Sequence, residues 1–375
     1  MSNRPLDYSL NKPFRRSKFS AGNLFKDFTL VLSIAVLLVF GFFMLYSASG
    51  QSEFMVKRQI IYSILGLIMM FIVAQFQPRS YKPLFMHLFW VGIALLIYVL
   101  IFPSQDFSTN RWIDLGFISF QPSEALRLIL PLSVASFLTR KELRPTIKDW
   151  VTVFSAVFLC FFLVAKQPDL GTALVVATAG LLPIFLSGFP FSFIAISTLI
   201  LISLYPFYWA SLKEYQQQRI LTLFNPDADP LGTGWNIAQS KMAIGSGGLF
   251  GKGYLTGTQS QLNFIPESHS DFIFAVIAEE LGLVGILFLI TLYAIILWRI
   301  FIISFNAETE FNRLVASSIG FIFFIYVVIN ISMVVGVLPV VGVPLPLVSQ
   351  GGTSLIVHLL AFGFVLSIKK RQTWS

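Results

Sequence analysis

Long apolar runs alternate with short polar segments along almost the whole chain. Ten runs approach the roughly 20 residues that a helix needs to cross a bilayer. They occupy residues 28–46, 59–75, 84–102, 122–138, 150–165, 170–187, 191–209, 271–303, 314–335 and 352–368. The pattern therefore predicts an all-α polytopic membrane protein with ten transmembrane helices.

An even number of spans places both termini on one side of the membrane. If that side is the cytoplasm, it holds 17 of the 26 Lys and Arg residues and six of the 18 acidic residues. Positive charge concentrates in the short cytoplasmic segments of membrane proteins. We therefore expect both termini to be cytoplasmic.

The loops indicate one helical domain, residues 28–368, flanked by cytoplasmic tails at 1–27 and 369–375. Cytoplasmic connections are short. A large extracytoplasmic loop, residues 210–270, separates the seventh and eighth predicted helices.

Composition supports this class. The chain is 56% hydrophobic and 12% charged, with a mean hydropathy of +0.78, whereas soluble domains carry about 25% charged residues. The net charge of +8 follows the membrane topology, so nucleic acid is not an expected partner. Cys160 is the single cysteine, and His87, His269 and His358 lack the spacing of metal ligands.

The segment 253–282 combines a polar first half with an apolar second half. Asp271 stands at the junction, and Glu279 and Glu280 follow about two helical turns later. Carboxylates at the mouth of a membrane helix are costly and mark candidate functional sites. Negative charge also suits the dipole at a helix N-terminus, which is the structural alternative.

Two further polar segments belong to the predicted outer side. Glu124 and Arg127 are three residues apart, share a helix face and can pair; we favour a cavity lining over a surface ion pair. Lys166 and Asp169 lie in a predicted outer turn with Pro168 and Gly171, where a turn and a binding site are equally compatible with the sequence.

The segment 244–253 is rich in glycine, and such loops can present backbone N–H groups to phosphate. It lacks the P-loop pattern, because Gly253 follows Lys252 where Ser or Thr is required. Lys241, Lys252, Gln259 and Gln261 nearby favour an anionic, hydroxyl-rich ligand.

Residues 336–352 contain three prolines and a glycine pair, which cannot continue a helix. Non-helical backbone at membrane depth must be buried in protein or line a water-filled cavity. We expect a re-entrant loop beside Asp271.

Several of these segments resemble the SEDS family (shape, elongation, division, sporulation). The matching pieces are NRWIDLG, FQPSE, KQPDLGTA, RILTLFNPDADPLGTGW, QSKMAIGSGGLFGKG, GTQSQLNFIPESHSDFIFAVIAEELG and GVLPVVGVPLPLVS. They extend over residues 110–352, and the GTQSQLNFIPE and LPVVGVPLPLVS pieces resemble the elongation branch more than the division branch. Arg127 replaces a lysine common in the family, and Gln350 replaces its usual tyrosine.

The resemblance implies a peptidoglycan glycosyltransferase that polymerises lipid II on the outer face of the bacterial inner membrane, with inversion. Asp271 matches the family's catalytic aspartate and is the expected general base. The expected substrate-binding residues are Arg111, Glu124, Arg127, Asp169, Lys241, Lys252, Gln259, Gln261, Glu267, His269 and Ser349. Arg111, Arg127 and Lys252 are candidates to hold the leaving diphosphate, and Trp112 suits a sugar.

The resemblance also implies a class B penicillin-binding protein as partner, together with other membrane proteins of the elongation complex and membrane lipid. No cofactor is firmly implied, although a divalent cation, Mg²⁺ or Mn²⁺, is compatible with the diphosphate. Two alternatives stay open: a lipid II flippase and a non-catalytic scaffold for the penicillin-binding protein. Polar residues that cluster on the outer half favour the enzyme.

Overall fold

A computed structural model describes residues 27–102, 111–114, 119–140, 145–167, 169–189, 203, 209–210, 217–218, 221–223, 233–262, 264–265 and 267–369. This part of the chain is a helical bundle. Its helices are α1 (Phe28–Ala48), α2 (Glu53–Gln75), α3 (Pro78–Tyr81), α4 (Leu84–Ile101), α5 (Pro122–Leu138), α6 (Ile147–Lys166), α7 (Leu170–Leu186), α8 (Thr233–Gly247), α9 (Thr258–Gln261), α10 (Ile273–Phe305), α11 (Glu310–Val335) and α12 (Gly352–Ile368). Strands β1 (Ile113–Asp114) and β2 (Ser119–Phe120) form a small antiparallel pair before α5.

Nine of the ten predicted spans coincide with helices. The remaining one, 191–209, lies outside the described residues apart from Ser203 and Trp209, so the count of ten stays a prediction. Within the described ranges, six helices are long and apolar enough to cross a membrane by length and composition, namely α1, α2, α4, α6, α10 and α11. Helices α7 and α12 are apolar and 17 residues long.

The charged helix α5 is tolerated because it lies inside the bundle. Most of its residues are buried, including Glu124 and Arg127, and it packs against α4, α7, α11 and α12. The start of α2 was predicted too late. The helix begins at Glu53, because its polar first turn, which contains an exposed Lys57–Glu53 ion pair of 2.7 Å, precedes the apolar run.

Two large apolar clusters hold the bundle together. One is built mainly from α1, α2, α10, α11 and α12, and the other from α4 to α7. Helices α2 and α12 approach closely because glycines face the partner helix. A Cβ on Gly363 would lie 2.7 Å from the Met70 carbonyl oxygen, so a side chain there would push the helices apart.

Helix α10 is broken at Gly282, which has φ 62° and ψ −157°. A segment that we call the glycine loop, residues 247–253, inserts its backbone into the break. The amides of Lys252 and Gly253 donate to the carbonyls of Glu279 and Glu280, at 3.0 Å each. The amides of Leu283 and Val284 donate to Gly248 and Leu249, at 3.0 and 3.1 Å. In an unbroken helix these four groups would pair with one another, so the glycine loop replaces two helical hydrogen bonds with four.

The bundle has two distinguishable ends. At the end that we call the Asp271 end, α1 finishes and α2, α10 and α12 begin; the Ser268 hydroxyl donates to the Ala48 carbonyl there, at 2.8 Å. At the opposite end, the Asp27 end, the start of α1 meets Arg299 of α10 and Lys369 after α12.

Candidate active site

Asp271 lies two residues before α10 and is partly exposed. A Cβ on Gly342 would lie 3.6 Å from Asp271 Oδ2. The carboxylate therefore faces the segment 336–351, which we call the proline loop. Gly342 has φ +74°, a conformation that glycine adopts at no steric cost, and its missing side chain leaves the space before the carboxylate open.

The proline loop is held in place by polar side chains from the helices. Asn330 of α11 is fully buried and donates through Nδ2 to the carbonyls of Asp271 and Val343, at 2.9 and 2.8 Å. One amide thus links the segment that carries the carboxylate to the loop that faces it. Tyr293 of α10 donates to the Pro346 carbonyl at 2.7 Å.

Ser349 makes a second link between the two segments. Its hydroxyl donates to the Ser270 carbonyl at 2.5 Å and accepts from the Leu345 amide at 2.9 Å. Ser349 is buried, so it positions the backbone next to Asp271.

Glu267 and His269 lie on the same turn as Asp271. The Ser270 hydroxyl donates to Glu267 Oε2 at 2.7 Å, and His269 Nε2 is 3.9 Å from that oxygen. The Glu267 side chain is 65% exposed. Both residues therefore lie at the solvent-facing rim beside Asp271.

Glu279 and Glu280 do not share the position of Asp271, because both are fully buried. Glu279 Oε1 accepts from Lys252 Nζ at 2.7 Å, from the Thr258 amide at 2.8 Å and from the Gln259 amide at 3.1 Å. Glu280 accepts from the Ser47 hydroxyl at 2.5 Å. The three carboxylates that are close in sequence thus separate into one solvent-facing group and two internal ones.

Several of the residues predicted to bind a ligand instead contact other parts of the protein. Lys252 forms an ion pair with Glu279, and the backbone of Gln259 caps the same carboxylate. The side chain of Gln261 lies outside the described residues. Lys241 of α8 lies against Gly336, the C-terminal cap of α11, where a cation suits the helix dipole.

Arg127 and Glu124 pair as their spacing predicts, at 3.7 Å, with side-chain exposures of 5% and 8%. Arg127 also donates to the hydroxyls of Tyr326 and Thr172. A small cavity of about 20 Å³ beside Arg127 and Tyr326 has room for about one water molecule. The pair is therefore internal to the α5, α7 and α11 interface.

Arg111 and Asp169 come together from separate loops. Arg111 Nη1 is 3.4 Å from Asp169 Oδ2, and Arg111 Nε donates to the Gln167 carbonyl at 3.0 Å. Asp169 Oδ1 also accepts from the Thr172 amide and caps α7. Lys166 instead lies over the ring of Phe162, at 5.3 Å.

Asn330 is the residue that sequence analysis missed. The available signal was a strongly polar amide in the apolar run 314–335, where an unsatisfied polar group is costly. Nothing in the local pattern indicated which backbone it would bind, because its partners are 59 and 13 residues away.

Comparison with known proteins identifies the family of this chain. A family model described as a cell cycle protein, covering FtsW, RodA and SpoVE, matches residues 28–373. The peptidoglycan glycosyltransferase MrdB of Escherichia coli is 47% identical over 343 residues, which are 91% of this chain and 93% of the relative. The stage V sporulation protein E of Bacillus subtilis is 35% identical over 92% of this chain and 97% of its own length.

Two solved structures share the fold. A chain from a peptidoglycan synthase complex, in work on the coordination of polymerization and crosslinking, has a TM-score of 0.80 and 32% identity over 92% of this chain and 97% of its own. The rod shape determining protein RodA of Thermus thermophilus has a TM-score of 0.69 and 28% identity over 92% of this chain and 96% of its own. Because the family model spans nearly the whole sequence, the chain belongs to the FtsW/RodA/SpoVE family.

Proposed function

We propose that this chain is a membrane-embedded peptidoglycan glycosyltransferase that polymerises lipid II during cell elongation. The names of its relatives support the reaction class, and 47% identity to Escherichia coli MrdB supports the elongation role. The observation that carries the proposal is Asp271, a partly exposed carboxylate fixed at a helix mouth opposite an open glycine position.

In the proposed reaction, Asp271 takes the proton from the 4-hydroxyl of the acceptor disaccharide. The hydroxyl oxygen then attacks the anomeric carbon of the lipid-linked sugar, and the prenyl diphosphate leaves from the opposite face, with inversion. General base catalysis of this kind contributes about 10²–10⁴-fold to the rate.

The surrounding residues support this role by fixing the backbone on both sides of Asp271. Asn330 and Ser349 bind that backbone and the proline loop together. A base held by buried hydrogen bonds does not need to reorganise when the acceptor binds, and such orientation is a large part of enzymatic rate enhancement.

The proposed function also includes a membrane orientation, a partner protein and a metal ion. Ten spans with both termini in the cytoplasm would place the Asp271 end on the outer face of the inner membrane. A class B penicillin-binding protein would supply the crosslinking activity, in keeping with the similarity to a chain of a peptidoglycan synthase complex. A divalent cation would bind with the diphosphate, and chelation by EDTA tests this part.

The deciding experiment is lipid II polymerisation by the purified protein, with its penicillin-binding partner inactivated at the partner's own active site. We expect glycan from wild type, a loss of at least about 100-fold in Asp271→Asn, and wild-type activity in Glu53→Gln. Glu53 is an exposed acid at the same end of the bundle. Full activity of Asp271→Asn would refute the base, and an inactive wild type would redirect the work to a lipid flipping assay.

A further inference from the structure

A polar cavity of about 210 Å³ opens at the Asp271 end, between the N-terminal halves of α2 and α12. It is lined by Arg58, Gln59, Tyr62, Trp112 and residues 350–353. The lining combines one cation, two aromatic rings and two amides, a set that suits a ligand with both charge and sugar-like character. Of the residues that the sequence suggested for ligand binding, Trp112 lines it.

Arg58 is positioned at the cavity by its neighbour Tyr62. Its Nε donates to the Tyr62 hydroxyl at 3.0 Å, and its guanidinium lies 5.5 Å from the Tyr62 ring centre. Within the described residues, no acid pairs with Arg58. The adjacent Lys57 takes the nearby acid Glu53 instead. The two Nη groups of Arg58 are therefore available for a bidentate contact with an anion.

The cavity is built on the same backbone as the catalytic segment. Gln59 is buried, donates to the Ser349 carbonyl at 2.9 Å, and accepts from the Gly351 amide at 3.4 Å. The Gln350 amide donates to the carbonyl of His269, two residues before Asp271, at 3.0 Å. One wall of the cavity is therefore hydrogen-bonded directly to the turn that carries Asp271.

The cations expected to hold the diphosphate are engaged by internal acids. Arg111 pairs with Asp169, Arg127 with Glu124, and Lys252 with Glu279. Using any of them for substrate would leave a buried or half-buried carboxylate without its counter-charge, which is costly. Arg58 has no such competing partner in the described part of the chain.

We propose that Arg58 binds the diphosphate of the prenyl-linked substrate in this cavity, with Trp112 contacting the adjoining sugar. This inference rests on the glycosyltransferase function proposed above and assigns to it the anion-binding residue. Arg58 is a substrate-binding residue in this scheme, and Asp271 remains the base.

The test compares Arg58→Gln, Arg58→Lys and the neighbouring control Lys57→Gln in lipid II polymerisation. We expect the half-saturating lipid II concentration to rise roughly ten- to a hundred-fold in Arg58→Gln, the range for a lost charged hydrogen bond. Arg58→Lys should recover part of the loss, because it keeps the charge without the fork geometry. Lys57→Gln should match wild type.

Inorganic pyrophosphate, at fixed free Mg²⁺, provides the second readout. It should inhibit wild type and Lys57→Gln equally. It should inhibit Arg58→Gln more weakly, by a factor similar to the rise in the half-saturating lipid II concentration. Three results would each overturn the proposal. They are equal inhibition of all variants by pyrophosphate, no inhibition of wild type, and an unchanged half-saturating lipid II concentration in Arg58→Gln.

Thermal unfolding in detergent separates binding from folding. If Arg58→Gln unfolds at a lower temperature than wild type, Arg58→Lys replaces it in the comparison. A half-saturating lipid II concentration equal to that of wild type in Arg58→Lys then counts against the proposal. An inactive wild type instead refutes the polymerase function itself, so the two failures are distinguishable.

Discussion

Asp271 and Glu279 are eight residues apart and differ in what surrounds their carboxylates. Asp271 faces the open position at Gly342, whereas Glu279 is fully buried and accepts hydrogen bonds from Lys252, Thr258 and Gln259. A buried carboxylate with this many donors stabilises the fold, whereas a partly exposed one can exchange protons with a ligand.

We therefore predict that Glu279→Gln destabilises the protein. The substitution leaves Lys252 without its counter-charge, and breaking such a pair costs about 3 kcal/mol. Thermal unfolding in detergent measures the change. The exposed Glu267→Gln is the matched control and should leave the unfolding temperature near wild type; an equal, small shift in both variants would contradict a structural role for Glu279.

At the scale of elements, the glycine loop supplies backbone hydrogen-bond partners to the broken part of α10. Its amides and carbonyls take the places of the missing helical partners around Gly282. This use explains the concentration of glycines at 245–253, which sequence analysis connected with phosphate binding. Four of its described backbone hydrogen bonds go to α10, and side chains at Gly247 and Gly251 would collide with the α10 backbone.

This role predicts different tolerances for two glycines in the loop. Both Gly251 and Gly248 have positive φ, at +76° and +57°. A Cβ on Gly251 would lie 2.1 Å from the Glu280 carbonyl oxygen, whereas one on Gly248 meets nothing within 4 Å. Gly251→Ala should therefore lower the unfolding temperature and polymerase activity strongly.

Gly248→Ala is the control, because it carries the conformational cost of about 1–2 kcal/mol without the collision. Unfolding temperatures measured in parallel give the comparison. Similar losses in the two variants would mean that backbone conformation alone, and not contact with α10, sets the requirement for glycine.

At the scale of the whole molecule, one ionic cluster joins three distant parts of the chain. Asp27 caps α1 and is buried, with Arg299 of α10 at 2.6 Å and Lys369 after α12 at 2.9 Å. Burial by itself raises the pKa of Asp27. The hydrogen bonds from Arg299 and Lys369 outweigh it and hold the pKa below the ordinary value of 3.8.

A lowered pKa in the folded state means that the ionised carboxylate stabilises the fold. This contribution is fully present above the ordinary pKa and is lost as the pH falls through the lower, folded-state value. We expect Asp27→Asn to cost roughly 2–3 kcal/mol at neutral pH, since both cations lose their partner. The difference in unfolding free energy between Asp27→Asn and wild type should shrink below about pH 4.

Unfolding temperatures of both proteins between about pH 6 and pH 3 give the measurement. Asn can still accept from the Leu30 amide, so the substitution tests charge and keeps the helix cap. Glu53→Gln, in an exposed pair, should show little change at any pH. A difference between wild type and Asp27→Asn that grows on acidification would contradict the assignment.

The sequence by itself determined most of the helices and the position of Asp271 at a helix mouth. Apolar runs of sufficient length have few alternatives in a bilayer, because backbone groups there must pair within the segment. The non-helical course of residues 336–351 also followed from local chemistry, since proline lacks the amide that a helix needs.

Tertiary structure alone decided which charged residues pair across distant parts of the chain. The ionic partners of Asp27 and Lys252 are 272 and 27 residues away, and such contacts depend on how helices pack. Local patterns record residue type and spacing, so the Glu124–Arg127 pair was predicted, whereas Arg111 and Lys252 were expected to hold a ligand. The fold gives both of these residues an internal partner, Asp169 and Glu279, and places Arg58 beside the turn that carries Asp271.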